Sequence, residues 1–218
     1  MLRTVTIVPT LTVSDKAEYK AQLEKINKYT KRIQVDITDG KFAKARTIGL
    51  KDAWWPKGWT ADLHLMAVKP SEHINTILEL NPSLCILHAE AQENLLPIFK
   101  ALKERGIRTG VALLPTTYPG AVKPYIDVVD HVLIFAGKLG EQGGEADMMQ
   151  MEKIPLIREM KPEVEIGWDG GANLTTTRAL AHADLDVINV GSALSRAENP
   201  AAIYQALVAE IDKNGVAL

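Results

Sequence analysis

The run LCILHAEAQENLLPIFKALKERGIRTGVAL, residues 84–113, decides the fold. Leu84–His88 is short, apolar and strand-like. Glu93–Arg105 is amphipathic with helical spacing, and Gly106 stands in a helix-ending position. Ile107–Leu113 returns to a β-branched, strand-like pattern. A strand, a helix and another strand in 30 residues form a unit of two parallel strands with a crossover helix.

The alternation extends in both directions. Toward the N-terminus, strands are expected at Thr4–Pro9, Arg32–Ile37 and Thr60–Leu65. Helices are expected at Asp15–Tyr29, capped by Ser14, at Ile48–Trp55 and from Pro70 onward. Toward the C-terminus, strands are expected at His131–Phe135, Val164–Trp168 and Val187–Val190. Helices are expected at Ala121–Ile126, Met148–Met160, Leu174–Ala181 and Pro200–Ile211. Eight strand–helix units in 218 residues, about 27 residues each, predict a single-domain (β/α)8 TIM barrel over 1–218. A doubly wound open sheet is the alternative. Its usual glycine-rich first turn is missing, because residues 9–14 read PTLTVS.

Composition bounds the function. Hydrophobic residues are 46% and charged residues 24%, which describes a folded globular chain. Lys plus Arg is 25 against 27 Asp plus Glu, so no basic surplus points to nucleic acid or an anionic membrane. Cys85 is the lone cysteine, so no intrachain disulfide is possible and a cytoplasmic location is expected. No apolar run reaches the roughly 20 residues of a membrane helix. Trp54, Trp55 and Trp59 either form a patch for homo-oligomerisation or pack under the barrel.

In such a barrel the chemistry belongs at the C-terminal strand ends. Alternation along the second strand points Gln34 and Asp36 the same way, inward, and Val35 and Ile37 outward. An inward carboxylate is costly unless paired or used. Asp39-Gly40, just beyond, reads as a turn. On the third strand Asp62, His64 and Met66 share a face. His88 ends the fourth strand, while His73, His131 and His182 are read as structural, in helix or loop contexts. Asp169-Gly170-Gly171 ends the seventh strand, and Gly191-Ser192 opens a short helix after the eighth. Turns of this kind free backbone N–H groups for an anion. Neither turn carries Lys or Arg beside its glycines, so amide dipoles are expected to do the binding. The loop 137–144 is a candidate phosphate clasp.

Together these motifs resemble the ribulose-phosphate 3-epimerase family. The matching pieces are Val35-Asp36-x-x-Asp39-Gly40, His64-Leu65-Met66, His88-Ala89-Glu90, Asp169-Gly170-Gly171 and Gly191-Ser192-Ala193, in order over nearly the whole chain. The resemblance implies metal-assisted, two-base epimerisation interconverting ribulose 5-phosphate and xylulose 5-phosphate, or a close ketose phosphate. It makes Asp36 and Asp169 the acid–base pair, and Asp36, His64 and Asp169 ligands to zinc, iron or manganese. Thr10, Gln34, His64, Met66, His88, Gly143, Gly170, Gly171, Gly191 and Ser192 become substrate contacts.

The chain departs from the pattern at five places, one of them the loop of residues 138–144, which keeps the family's glycines only in part. Gln34 stands where the family has a fourth metal-binding His, a change that weakens the metal site. Thr38 and Phe135 stand at family methionines, and Trp168 replaces a smaller residue. Two other readings compete: a phosphosugar binder without catalysis, and a phosphosugar decarboxylase or aldolase. The latter is disfavoured because Asp36-Ile37-Thr38 lacks the lysine of Asp-x-Lys-x-x-Asp.

Overall fold

The structure, a computed structural model, describes residues 4–137, 139 and 143–212. Eight parallel strands close into a barrel in chain order: β1 Thr6–Leu11, β2 Arg32–Thr38, β3 Thr60–Met66, β4 Leu84–His88, β5 Arg108–Leu113, β6 His131–Phe135, β7 Glu165–Asp169 and β8 Val187–Val190. The last strand returns to the first, with Thr6 opposite Val187 and Pro9 opposite Val190. The helices are α1 Lys16–Ile26, α2 Ile74–Leu80, α3 Leu96–Glu104, α4 Lys153–Met160, α5 Thr177–Ala181, α6 Ser192–Ser195 and α7 Pro200–Ile211.

The sequence pattern placed β1 two residues early. Pairing with β2 extends it past Pro9, with Thr10 opposite Gln34 and Leu11 opposite Val35. Residues 48–55 and 121–126 form no α-helix; each segment holds only a short 3-10 turn, at Leu50–Asp52 and Pro119–Val122. The cap of α1 is Asp15 rather than Ser14, and its carboxylate accepts from Glu18 N at 2.8 Å. Gly106 closes the α3 turn at φ +75°, a left-handed conformation that glycine adopts without Cβ strain.

Strand parity sorts the side chains into two layers. Val35, Ile37, Leu63, Leu65, Ile134, Ile166 and Trp168 join the layer between barrel and helices. Inside the barrel, Leu84, Ile86, Ala112 and Leu133 form a small apolar middle. Polar clusters sit above and below it. At the lower end Arg32 bridges Asp62 and Glu165, both at 2.9 Å, and His131 Nδ1 lies 2.8 Å from Glu165. His131 is therefore an inward strand residue, not a helix or loop histidine. Trp59 is buried and Trp55 half-buried on the core, while Trp54 is 45% exposed and its carbonyl accepts from the Tyr19 hydroxyl. No helix among the described residues is long and apolar enough to cross a membrane.

Candidate active site

The upper ends of β2, β3, β4 and β7 deliver their inward side chains to one point. Asp36 lies opposite His64 in the β2–β3 register, so the two meet without any loop rearrangement. His64 Nδ1 sits 3.0 Å from Asp36 Oδ1 and 3.8 Å from Asp169 Oδ2. Ligand atoms of Asp36, His64 and Asp169 all lie within 4.8 Å of one another, and all three residues are buried. Gln34 ties the carboxylates together, its amide NH₂ donating to Asp36 Oδ1 at 3.0 Å and to Asp169 Oδ2 at 2.6 Å. The Thr12 hydroxyl donates to the other Asp36 oxygen at 2.6 Å.

The electrostatics follow from this crowding. Burial, reinforced by the nearby Asp36 charge, pushes the Asp169 carboxyl up to about 7. Burial opposes charge on the His64 ring, but the hydrogen bond and charge of Asp36 outweigh it, so His64 holds its proton above its ordinary range. Behind His64, burial pushes His88 down to about 4.

Asp36 and Asp169 open onto a cavity of about 550 Å³. Thr10, Met66, Gly143, Gly170, Gly171, Gly191 and Ser192 line it. Gln34, His64 and His88 do not; they are fully buried beneath or behind the lining. His88 Nε2 lies 2.9 Å from His64 Nε2, so its contact is with the site and not with the cavity. Of the 137–144 loop, Gly137, Gly143 and Gly144 line the cavity, while Lys138, Gly140, Glu141 and Gln142 lie outside the described residues.

The fold also brings in groups that local sequence did not flag. Arg46, from the β2–β3 connection, and Arg196, one residue beyond α6, both line the cavity. A Cβ on Gly143 would stand 2.8 Å from the Arg196 guanidinium, so that cation lies directly against the loop backbone. Neither glycine turn carries Lys or Arg, yet two cations reach the cavity lining from outside those turns. Inward parity on β8 was the available signal for Asn189, whose Oδ1 is buried without a partner among the described residues, as is Thr10 Oγ1.

Gly170 and Gly171 carry a packing constraint as well. Their φ values are +129° and +66°, and a Cβ would come within 2.2 Å of Gly137 N and 2.1 Å of Ala146 N. Gly191 is different: an added Cβ would meet only Thr10, at 3.9 Å, so its backbone faces open space.

A profile of the ribulose-phosphate 3 epimerase family matches residues 6–195. The chain belongs to the ribulose-phosphate 3-epimerase family. Curated relatives agree with that membership. A ribulose-phosphate 3-epimerase of Schizosaccharomyces pombe is 29% identical over 209 residues, covering 92% of this chain and 91% of the relative. The cytoplasmic isoform from Oryza sativa subsp. japonica is 28% identical, covering 92% of each. Among solved structures, 3-hexulose-6-phosphate synthase from Salmonella typhimurium superposes with a TM-score of 0.70 at 14% identity, over 95% of this chain and 98% of that one. That likeness shows the shared barrel.

Within this family frame, four of the five departures have definite places in the structure. Trp168 points outward, fully buried, and its indole N–H donates to Gly170 O at 2.9 Å, bracing the turn after Asp169. The Thr38 hydroxyl donates to Ala43 O and accepts from Gly40 N, both at 3.1 Å, and so closes the β2 loop. Asp39 supports the same loop, accepting from Lys41, Phe42 and Val68 backbone N–H groups. Phe135 lines the cavity with its ring centroid 6.3 Å from that of His64. Gln34 retains the inward position but offers an amide, and its Oε1 is buried with no partner among the described residues.

Proposed function

We propose that this chain, acting as one barrel unit, interconverts ribulose 5-phosphate and xylulose 5-phosphate, with Asp36 and Asp169 as the two proton-transfer groups. The observation that carries the reading is the convergence of two buried carboxylates at the floor of a cavity lined by the Gly170-Gly171 and Gly191-Ser192 turns. Inverting a carbon beside a ketone requires a proton to leave one face and another to arrive on the opposite face. In one direction Asp36 takes the proton from carbon 3, and the bond electrons pass into an enediolate. Asp169, which holds a proton up to about pH 7, then delivers it to the other face. The reverse reaction exchanges the two roles.

Gln34 and Thr12 hold the carboxylates in place through the hydrogen bonds described above, which limits reorganisation during transfer. The phosphate is assigned to Gly143, Gly170, Gly171, Gly191 and Ser192, with Arg196 adding a cation. Met66, Thr10 and Phe135 cover the sugar. The reaction is assigned to the cytoplasm, in keeping with a lone, buried cysteine.

Asp36, His64 and Asp169 form an oxygen–nitrogen donor set that suits zinc, iron or manganese. The unpartnered Gln34 Oε1 fits the same picture, because turning the amide over would aim that oxygen at the three donors. A neutral amide is a poorer ligand than the imidazole it replaces, so affinity is expected to be weak. A divalent cation held there supplies positive charge to stabilise the enediolate oxygen.

The test is proton exchange. In D₂O, with zinc, iron or manganese added, the protein should place deuterium on carbon 3 of ribulose 5-phosphate while forming xylulose 5-phosphate, as read by NMR. Tight binding of the sugar phosphate without deuterium incorporation would overturn the catalytic reading and leave a binding protein.

A further inference from the structure

A line of hydrogen bonds, buried at its inner end and half-buried at Glu90, runs away from the carboxylate pair and ends on a residue the reaction does not touch. His64 Nε2 lies 2.9 Å from His88 Nε2, and His88 Nδ1 lies 3.2 Å from Glu90 Oε2. Glu90 in turn accepts from Leu114 N at 2.9 Å and from the Thr117 side chain. Lys153, which donates to Leu114 O and Pro115 O, adds a positive charge nearby. Phe42 lies against the His88 ring, centroid to centroid 4.6 Å, and shields the line from above.

Donor and acceptor counting along this line has one consistent solution. Glu90 receives hydrogen bonds from a backbone N–H and a hydroxyl, so it acts as the acceptor toward His88 as well. His88 Nδ1 must then carry the hydrogen, and in a neutral ring Nε2 is bare. Bare His88 Nε2 can only accept, so His64 Nε2 must be the donor. With its Nε2 proton committed, a neutral His64 turns the lone pair of Nδ1 toward Asp36 and Asp169. Three acceptors then face one another, an arrangement that is stable only around a cation, whether a proton or a metal ion.

We infer that Glu90 and His88 are positioning residues that select which nitrogen of His64 faces the carboxylate pair and so make Nδ1 the metal-binding atom. The metal part of this inference rests on the proposed function; the tautomer part does not. Partners of this kind behind a ligating histidine typically contribute 10–100-fold in metal affinity.

The informative variant is Glu90→Gln. Glutamine has one acceptor oxygen for the donors that Glu90 serves, and its NH₂ turned toward His88 requires a bare Nδ1. The whole line then inverts: His88 protonates on Nε2, His64 Nε2 becomes the acceptor, and the His64 Nδ1 proton closes the site. Long-range ¹⁵N–¹H spectra of the histidine rings read this directly in metal-free protein, and competition with a chromogenic chelator reads zinc affinity. We expect wild-type His88 as the Nδ1–H tautomer. We expect the variant to move toward Nε2–H and to bind zinc about 10–100-fold more weakly. A wild-type His88 protonated on Nε2 overturns the inference whether or not the variant folds. So does a variant with inverted tautomer and unchanged zinc affinity, or one unchanged in both. If the wild type binds no zinc, the metal reading of the site fails, and the His88 tautomer still decides whether Glu90 orders the line.

Discussion

The barrel interior carries carboxylates at both ends, and the two ends resolve them in opposite ways. Below the apolar middle, Asp62 and Glu165 are met by Arg32, with Arg108 reaching Glu165 at 3.4 Å and His131 beside it. Negative charge there is answered by guanidinium groups from β2 and β5. Above it, Asp36 and Asp169 meet an amide, a hydroxyl and a histidine among the described residues, in place of guanidinium groups. One end closes on itself. The other is left electrostatically incomplete and opens on a cavity, which is what a site for a cation and a reacting anion requires. Burial alone therefore does not distinguish function from support; charge balance does.

The largest expected difference between the ends is in turnover. Asp36→Asn or Asp169→Asn should lower kcat about 10²–10⁴-fold with circular dichroism unchanged, while Glu165→Gln at the lower end should leave kcat near wild type. Equal losses from both ends in a steady-state assay would erase the comparison.

Stability should respond the other way. Arg32→Met strands Asp62 and removes one of the two guanidinium partners of Glu165, and breaking a buried pair costs about 3 kcal/mol or more, read as a fall in the urea midpoint. The same measurement on Asp169→Asn should show little loss, because that substitution relieves crowding between two carboxylates.

Metal affinity separates the ends next. Gln34→His should tighten zinc binding about 10–100-fold, measured by chelator competition. A wild-type protein that already holds one ion tightly, with no gain from Gln34→His, would show that the amide serves as well as the imidazole. At the cavity rim Arg196→Met should raise KM for the sugar phosphate about 10-fold with kcat little changed, the scale of one charge-assisted hydrogen bond.

The finest contrast is in pH dependence. The Asp169 carboxyl is held up to about 7 from an ordinary 3.8, so the folded state keeps a proton that the unfolded chain releases. Its contribution therefore declines as pH rises between those values. Glu165 is held below its ordinary 4.5 against the effect of burial, chiefly by its hydrogen bond to His131 and the charges of His131, Arg32 and Arg108. Its contribution is present above pH 4.5 and lost as pH falls further. Unfolding titrations should thus show Glu165→Gln approaching wild-type stability in acid, and Asp169→Asn gaining on wild type from about pH 4 to about pH 7.

The sequence by itself determined the strand–helix alternation, the barrel and the inward positions. These depend on periods of two and 3.6 residues, which are local properties of the chain. Leu84–His88, His131–Phe135 and Val187–Val190 were legible to the residue for that reason. The pairing of Asp36 with Asp169 was legible through the family resemblance, while strand alternation showed that Asp36 faces inward. Only the tertiary structure decided that His88 stands behind His64, that Arg46 and Arg196 reach the cavity, and that Arg32 links strands far apart in the chain. It also decided that residues 48–55 and 121–126 hold only short turns. Those outcomes depend on register between strands and on which loop crosses which end, and no window of sequence contains both partners.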